Sequence, residues 1–103
     1  MNDLSPITLT IGSVATVATS HASRYLQQLC KHFQHKLPVT FDSRSGQIVY
    51  SIGDCRLVAG EAVLTLLVMS PDADRLEQLQ DVVARHLLRF AFREDMKVEW
   101  HPL

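Results

Sequence analysis

The spacing of apolar and polar positions changes several times along this chain, and each change marks an element. Ile7, Leu9 and Ile11 alternate with Thr8 and Thr10, Gly12-Ser13 interrupts, and a second β-rich run follows from Val14 to Ala18. Alternation puts every second side chain on one face, so one strand is expected here, with residues 1–13 either a loose extension or an extra edge strand. At Thr19-Ser20, both suited to an N-cap, the period lengthens to that of a helix, which should run to about Leu37 and stop at Pro38. Ala22, Leu26, Leu29, Cys30, Phe33 and Leu37 make its apolar face.

Short β-rich runs come next: Val39 to Phe41, Gln47 to Ile52, Cys55 to Val58 and Ala62 to Met69. Asp42 to Gly46, Gly53-Asp54 and Gly60-Glu61 divide them, which reads as an antiparallel meander with hairpin turns. Ser70-Pro71-Asp72 then announces a second helix, with Ser as N-cap, Pro in the first turn and acids at the positive end of the dipole. Leu76, Leu79, Val83, Leu87 and Phe90 form its main apolar stripe, and Ala84, Leu88 and Phe92 a second. Met96, Val98 and Trp100 alternate with Lys97 and Glu99, as in a half-buried closing strand.

The resulting order, β-α-β-β-β-β-α-β, predicts an α+β two-layer sandwich: an antiparallel sheet of about five strands with two helices on one face. The whole chain, 1–103, reads as one domain. Its 103 residues suffice for a core without metal or disulfide staples, and 47% hydrophobic with 20% charged residues is a globular balance. A net charge of -1 and a pI near 6.5 suggest neither a nucleic-acid nor a membrane-surface protein. The N-terminus carries Asp3 where a secretory signal would be basic, and the longest apolar stretch, Ala62 to Met69, is only strand-sized. A cytoplasmic protein with reduced Cys30 and Cys55 is expected.

Two blocks, His21 to Lys36 (HASRYLQQLCKHFQHK) and Val82 to Glu94 (VVARHLLRFAFRE), resemble a bacterial family, domain of unknown function 2218. The likeness extends over most of the chain after about Val14. It implies no defined activity. Because some members are joined to, or encoded near, siderophore-interacting reductases, it implies a link with iron acquisition, an iron-related ligand and a siderophore-reductase partner.

Charge is distributed less evenly than the net value suggests. From Leu4 through Phe41 there is no Asp or Glu, whereas Arg24, Lys31 and Lys36 lie in that span. Around the first helix, His21, Gln28, His32 and His35 form a stripe beside Tyr25, and on the second helix His86 and Arg89 sit at the margin of the main apolar stripe, with Arg93 nearby. If the helices lie side by side, Arg24, His32, His35, His86 and Arg89 would line a groove for an anion. The plainer alternative, which weighs somewhat more on sequence alone, is an ordinary solvated face with His32 or His86 bonded to a neighbour. His32 and His35 have a spacing that can share a metal, yet His86 is the only attractive third ligand, so no dedicated metal site is assigned.

No phosphate loop, nucleophile elbow or zinc-ribbon spacing occurs, and the sequence leans away from an enzyme while naming no cofactor. Two functions remain. One is a binding or accessory module that receives a small anionic or iron-related ligand at the five named residues. The other is an interaction module, a homodimer included, that uses the open sheet face or the Ala84, Leu88, Phe92 stripe.

Overall fold

The computed structural model describes residues 8–103, so Ile7 of the expected first strand lies outside the described residues. Its elements are β1 (Ile11–Ala18), α1 (Ala22–Phe33), β2 (Val39–Phe41), β3 (Ser45–Tyr50), β4 (Gly53–Ala59), β5 (Val63–Ser70), α2 (Ala73–Phe90) and β6 (His101–Pro102). All pairings are antiparallel, in the order β2-β3-β4-β5-β1-β6. The expected α+β sandwich is therefore present, with six strands.

β1 runs straight through Gly12-Ser13, pairing with β5 from Ile11 opposite Ser70 to Ala18 opposite Val63. The two residues do not break the strand because each has a use inside it. Gly12 lies beneath the Met69 sulfur, where a Cβ would not fit. Ser13 is buried, and its hydroxyl accepts a 2.6 Å hydrogen bond from Gln80 Nε2 of α2.

α1 leaves the end of β1 and crosses behind β5, β4 and β3 to reach β2. α2 covers β4, β5 and β1, and the two helices touch along one seam. Leu26, Leu29 and Cys30 of α1 and Leu79, Val83 and Leu87 of α2 close over Val17, Ile48, Leu57, Leu64, Leu66 and Val68 of the sheet. Alternation in β5 shows the division of faces, since Leu64, Leu66 and Val68 are fully buried while Val63, Thr65 and Leu67 between them are only half-buried.

Several boundaries differ from the sequence reading. α1 begins after His21, which makes no side-chain cap; the Thr19 hydroxyl oxygen accepts the His21 N–H and the hydroxyl donates to Glu94. α1 ends at Phe33 rather than Leu37, in a tight turn closed by Lys36 and Leu37 N–H bonds to the Phe33 carbonyl. Leu37, preceding a proline, is disfavoured in the helical region. The β3–β4 turn falls on Ser51-Ile52, not Gly53-Asp54. Gly53 is instead a strand residue with φ of +149°, pressed against the Met69 carbonyl and Leu79, a place only glycine fills without strain.

Ser70 does not cap α2. It closes β5, fully buried, and its hydroxyl donates to the Ile52 carbonyl at 2.8 Å, while Asp72 takes the cap and accepts the Arg75 N–H. Met96, Val98 and Trp100 do alternate inward, but that segment is unpaired and only His101-Pro102 joins the sheet, beside Ser13 and Val14. Trp100 shares a groove with Glu77, Gln80, Asp81 and Ala84, so the second stripe of α2 is met at Ala84 by the returning chain. Leu88 and Phe92 stay exposed.

One polar latch fixes the far end of α2 to the rest. Glu94, just past the helix, accepts hydrogen bonds from the Thr19 hydroxyl at 2.9 Å and from the Tyr25 hydroxyl. The Tyr25 bond, aided by Thr19 and the charges of His21 and Arg24, holds the Glu94 carboxyl below its ordinary range. The folded-state value thus lies below the unfolded one. The latch contributes fully above the ordinary value of 4.5 and is lost as pH falls through the folded-state value. Glu94→Gln should lower the thermal unfolding midpoint at pH 7 and flatten its dependence on pH in the acid range, as followed by circular dichroism.

Cys30 and Cys55 are both free and fully buried. Burial pushes the Cys30 thiol up to about 11 and raises Cys55 as well. Neither should react with a thiol reagent in the native protein, and both should react under denaturing, non-reducing conditions, as read by intact mass. A disulfide-bonded mass would contradict this.

Candidate functional site

The seam between α1 and α2 gathers most of the side chains singled out above. It forms because α1 is tilted across the sheet by the need to reach β2, while α2 lies over β5 and β1. The polar margin of each helix, the strip next to its buried stripe, then faces the other.

At the end of the seam near the C-terminus of α1, His32 and His86 meet with ring centroids 5.0 Å apart. Phe33 and Phe90 pack edge-on against His32, at 4.8 and 5.6 Å. Partial desolvation by this packing lowers the His32 pKa below the ordinary histidine value, and the charges of His86, Arg89, Lys36 and His35 add to the effect. His86 Nδ1 lies 2.7 Å from the Val82 carbonyl. A carbonyl only accepts, so Nδ1 carries a hydrogen and Nε2 is the atom left for a ligand. His35 lies two residues beyond the end of α1, in the exposed turn, and not on the helical stripe where the sequence placed it.

At the other end, Arg24 is eight residues before His32, about 12 Å along the helix axis by the rise per residue. It lines a groove of about 470 Å³ with His21, Tyr25, Gln28, Phe90, Phe92, Arg93 and Glu94. The Arg24 guanidinium lies 5.7 Å from the Tyr25 ring centroid and that of Arg93 5.4 Å from Phe92. Phe92, 75% exposed, stands at the rim. Glu94 is the only acid lining the groove, and Tyr25 and Thr19 already bond it.

The structure thus brings His32 and His86 together, close enough to Arg89 and His35 for their charges to act on His32, and puts Arg24 in a second part of the same seam. Phe90 joins the two parts, touching His32 on one side and lining the Arg24 groove on the other. Among the described residues the ion pairs are Arg75–Asp72 and Arg85–Asp81, and neither involves a seam cation. Among the described residues no three His, Cys, Asp or Glu side chains are grouped to hold a metal ion, and no helix is long and apolar enough to cross a membrane.

Sequence reasoning took Thr19 only as a candidate N-cap and gave Glu94 no part in the site. A signal for Glu94 was present: it is an acid just past the C-terminus of a helix whose last turns are basic, the wrong end of the dipole unless a specific donor holds it. The pairing of Thr19 with it offered no such sign, since the two are 75 residues apart.

No curated protein matches the chain significantly. The NMR structure of PA4090 from Pseudomonas aeruginosa is similar, with a TM-score of 0.77 and 36% sequence identity, over 89% of this chain and 96% of that chain. A family model described as "Uncharacterized protein conserved in bacteria (DUF2218)" matches residues 14–101, a span that holds both helices, Thr19 and Glu94. With that match running from β1 to β6, the chain belongs to the bacterial family of uncharacterised proteins called domain of unknown function 2218.

Proposed function

We propose that this chain is a cytoplasmic binding or accessory module that receives an anionic ligand or partner in the seam between α1 and α2. The observation that carries the reading is that, among the described residues, no cation of the seam is in an ion pair. His21, Arg24 and Arg93 line a groove whose acid, Glu94, is engaged by hydroxyl donors, and at the other end the charge of Arg89 acts on His32 beside His86. Cations held over aromatic rings at the margin of a core lose little freedom when an anion arrives. Phe90 and Phe92 supply apolar surface beside them, the mixture that small-ligand grooves use. Charge defines the class of ligand. The iron-related ligand and the siderophore-reductase partner implied by the family resemblance are narrower versions of the same reading, and ferric chelates are accordingly among the compounds to try.

A thermal-shift screen with simple anions, nucleotides, haem and ferric chelates should find a ligand whose affinity falls as salt rises. Arg24→Ala and Arg89→Ala should each weaken it by roughly 10- to 150-fold, the equivalent of a charge-assisted hydrogen bond of about 1.5–3 kcal/mol. Stability should change by about 0.5 kcal/mol or less, because both side chains are exposed. Unchanged affinity in both variants would refute the reading.

The state of His32 provides a second check. Its imidazole resonances should titrate below the ordinary value of 6.5, and Arg89→Gln should move the midpoint up, because one of the charges opposing protonation is gone. A bound anion should move it up too. A midpoint at or above 6.5 in the free protein would contradict the packing described.

A further inference from the structure

Away from the helices, the sheet has an outer face on which apolar side chains surround one acid and one base. Strand register puts Val49, Asp54 and Met69 in one row across β3, β4 and β5, and Gln47, Arg56 and Leu67 in the next. Asp54 and Arg56 are two apart on β4, so they share this face, opposite to the buried Cys55 and Leu57. Val49 is 41% exposed, and Val58, one row further, 53%.

Asp54 is the anomaly. It is only 8% exposed, and although Gln47 Nε2 donates to Oδ2 at 2.9 Å, Oδ1 is buried with no hydrogen-bond partner among the described residues. A carboxylate oxygen removed from water without a donor is costly, and native proteins rarely leave one so. Arg56, exposed on the same face, is in no ion pair among the described residues. Among the described residues, then, this face holds an acid with one oxygen lacking a donor and a base in no ion pair, spaced by one row.

We propose that this outer face binds a second copy of the chain, with Arg56 of each copy paired to Asp54 of the other. The symmetry follows from the register. A two-fold axis lying in the interface, across the strands at the level of Cys55, exchanges the two rows. It sets Arg56 over the partner copy's acid, Met69 over its Leu67 row, and does so twice. An axis along the strands would place acid on acid and base on base, which like-charge repulsion excludes. Two sheets pack face to face about 10 Å apart, a gap that a long Arg facing a short Asp can bridge. The helix seam is on the other side of the sheet and stays open, so this interface is independent of the proposed ligand site.

Sedimentation or light scattering between micromolar and 100 μM tests it. The native chain should show twice the 11.6 kDa protomer mass. Arg56→Glu and Asp54→Lys should each weaken self-association at least about tenfold, because each places like charges opposite one another. An equimolar mixture of the two should associate again, since both cross-pairs then have opposite signs. Val58→Glu, at a well-exposed position, should give a folded monomer, and Leu88→Glu on the helix side should leave the dimer intact. If Asp54→Lys does not fold by circular dichroism, Arg56→Glu and Val58→Glu decide the matter. A native monomer at 100 μM, or a dimer that survives both, would overturn the proposal.

Discussion

The pairing of β1 with β5 is the constraint from which the arrangement of this molecule follows. β1 comes first in the chain but lies beyond β5 in the sheet, and the eight-residue ladder between them is the longest in the structure. To build the β2-β3-β4-β5 meander afterwards, the chain must travel from one side of the sheet to the other. α1 makes that crossing. On the return, the meander ends beside β1, so α2 has to lie over β5 and β1, next to α1. The seam is thus a consequence of strand order, and so is an outer face that neither helix covers, because both crossings use the same side of the sheet.

Within that frame, burial and charge are kept apart with little overlap. The core contains Leu, Ile, Val, Ala and the two thiols, with Ser13 and Ser70 each bonded to a neighbouring element. Those two bonds join α2 to β1 and β5 to the β3–β4 turn, at points where sheet hydrogen bonding alone would leave the pieces free to slide. The Glu94 latch acts likewise at the opposite end of α2, bonding the end of β1 and the first turns of α1 through Thr19 and Tyr25. The latch engages the acid lining the groove with hydroxyl donors, and among the described residues neither Arg24 nor Arg93 is in an ion pair, which is the setting in which we propose that an anion is received.

The two faces of the sheet therefore differ in the kind of partner they suit. The helix seam has several cations, the rings of Tyr25, Phe33, Phe90 and Phe92 and a concave shape, the combination on which the proposed anion site rests. The outer face mixes apolar side chains with one acid and one base a row apart, which suits a surface of matching register. Neither property is visible in the net charge of -1, which averages acids at the start of α2 against bases gathered at the seam.

Much of this was determined by sequence alone. Alternation and helical period established the order of elements, the inward faces of α1 and α2, and the place of Cys30 on the apolar face of α1, because such patterns record which side of an element avoids water. The basic character of α1 was equally legible. Boundaries were less so: Ser70 looked like a cap and Gly53 like a turn, and both became strand residues because a carbonyl or an α2 side chain lies close to each. Only the tertiary structure decided that β1 joins β5, that His32 meets His86, and that Glu94 bonds Tyr25 across 69 residues of chain. The physical reason is that local periodicity specifies a face without specifying what will cover it. Contacts between residues far apart in the chain exist only once the strand order has chosen the neighbours.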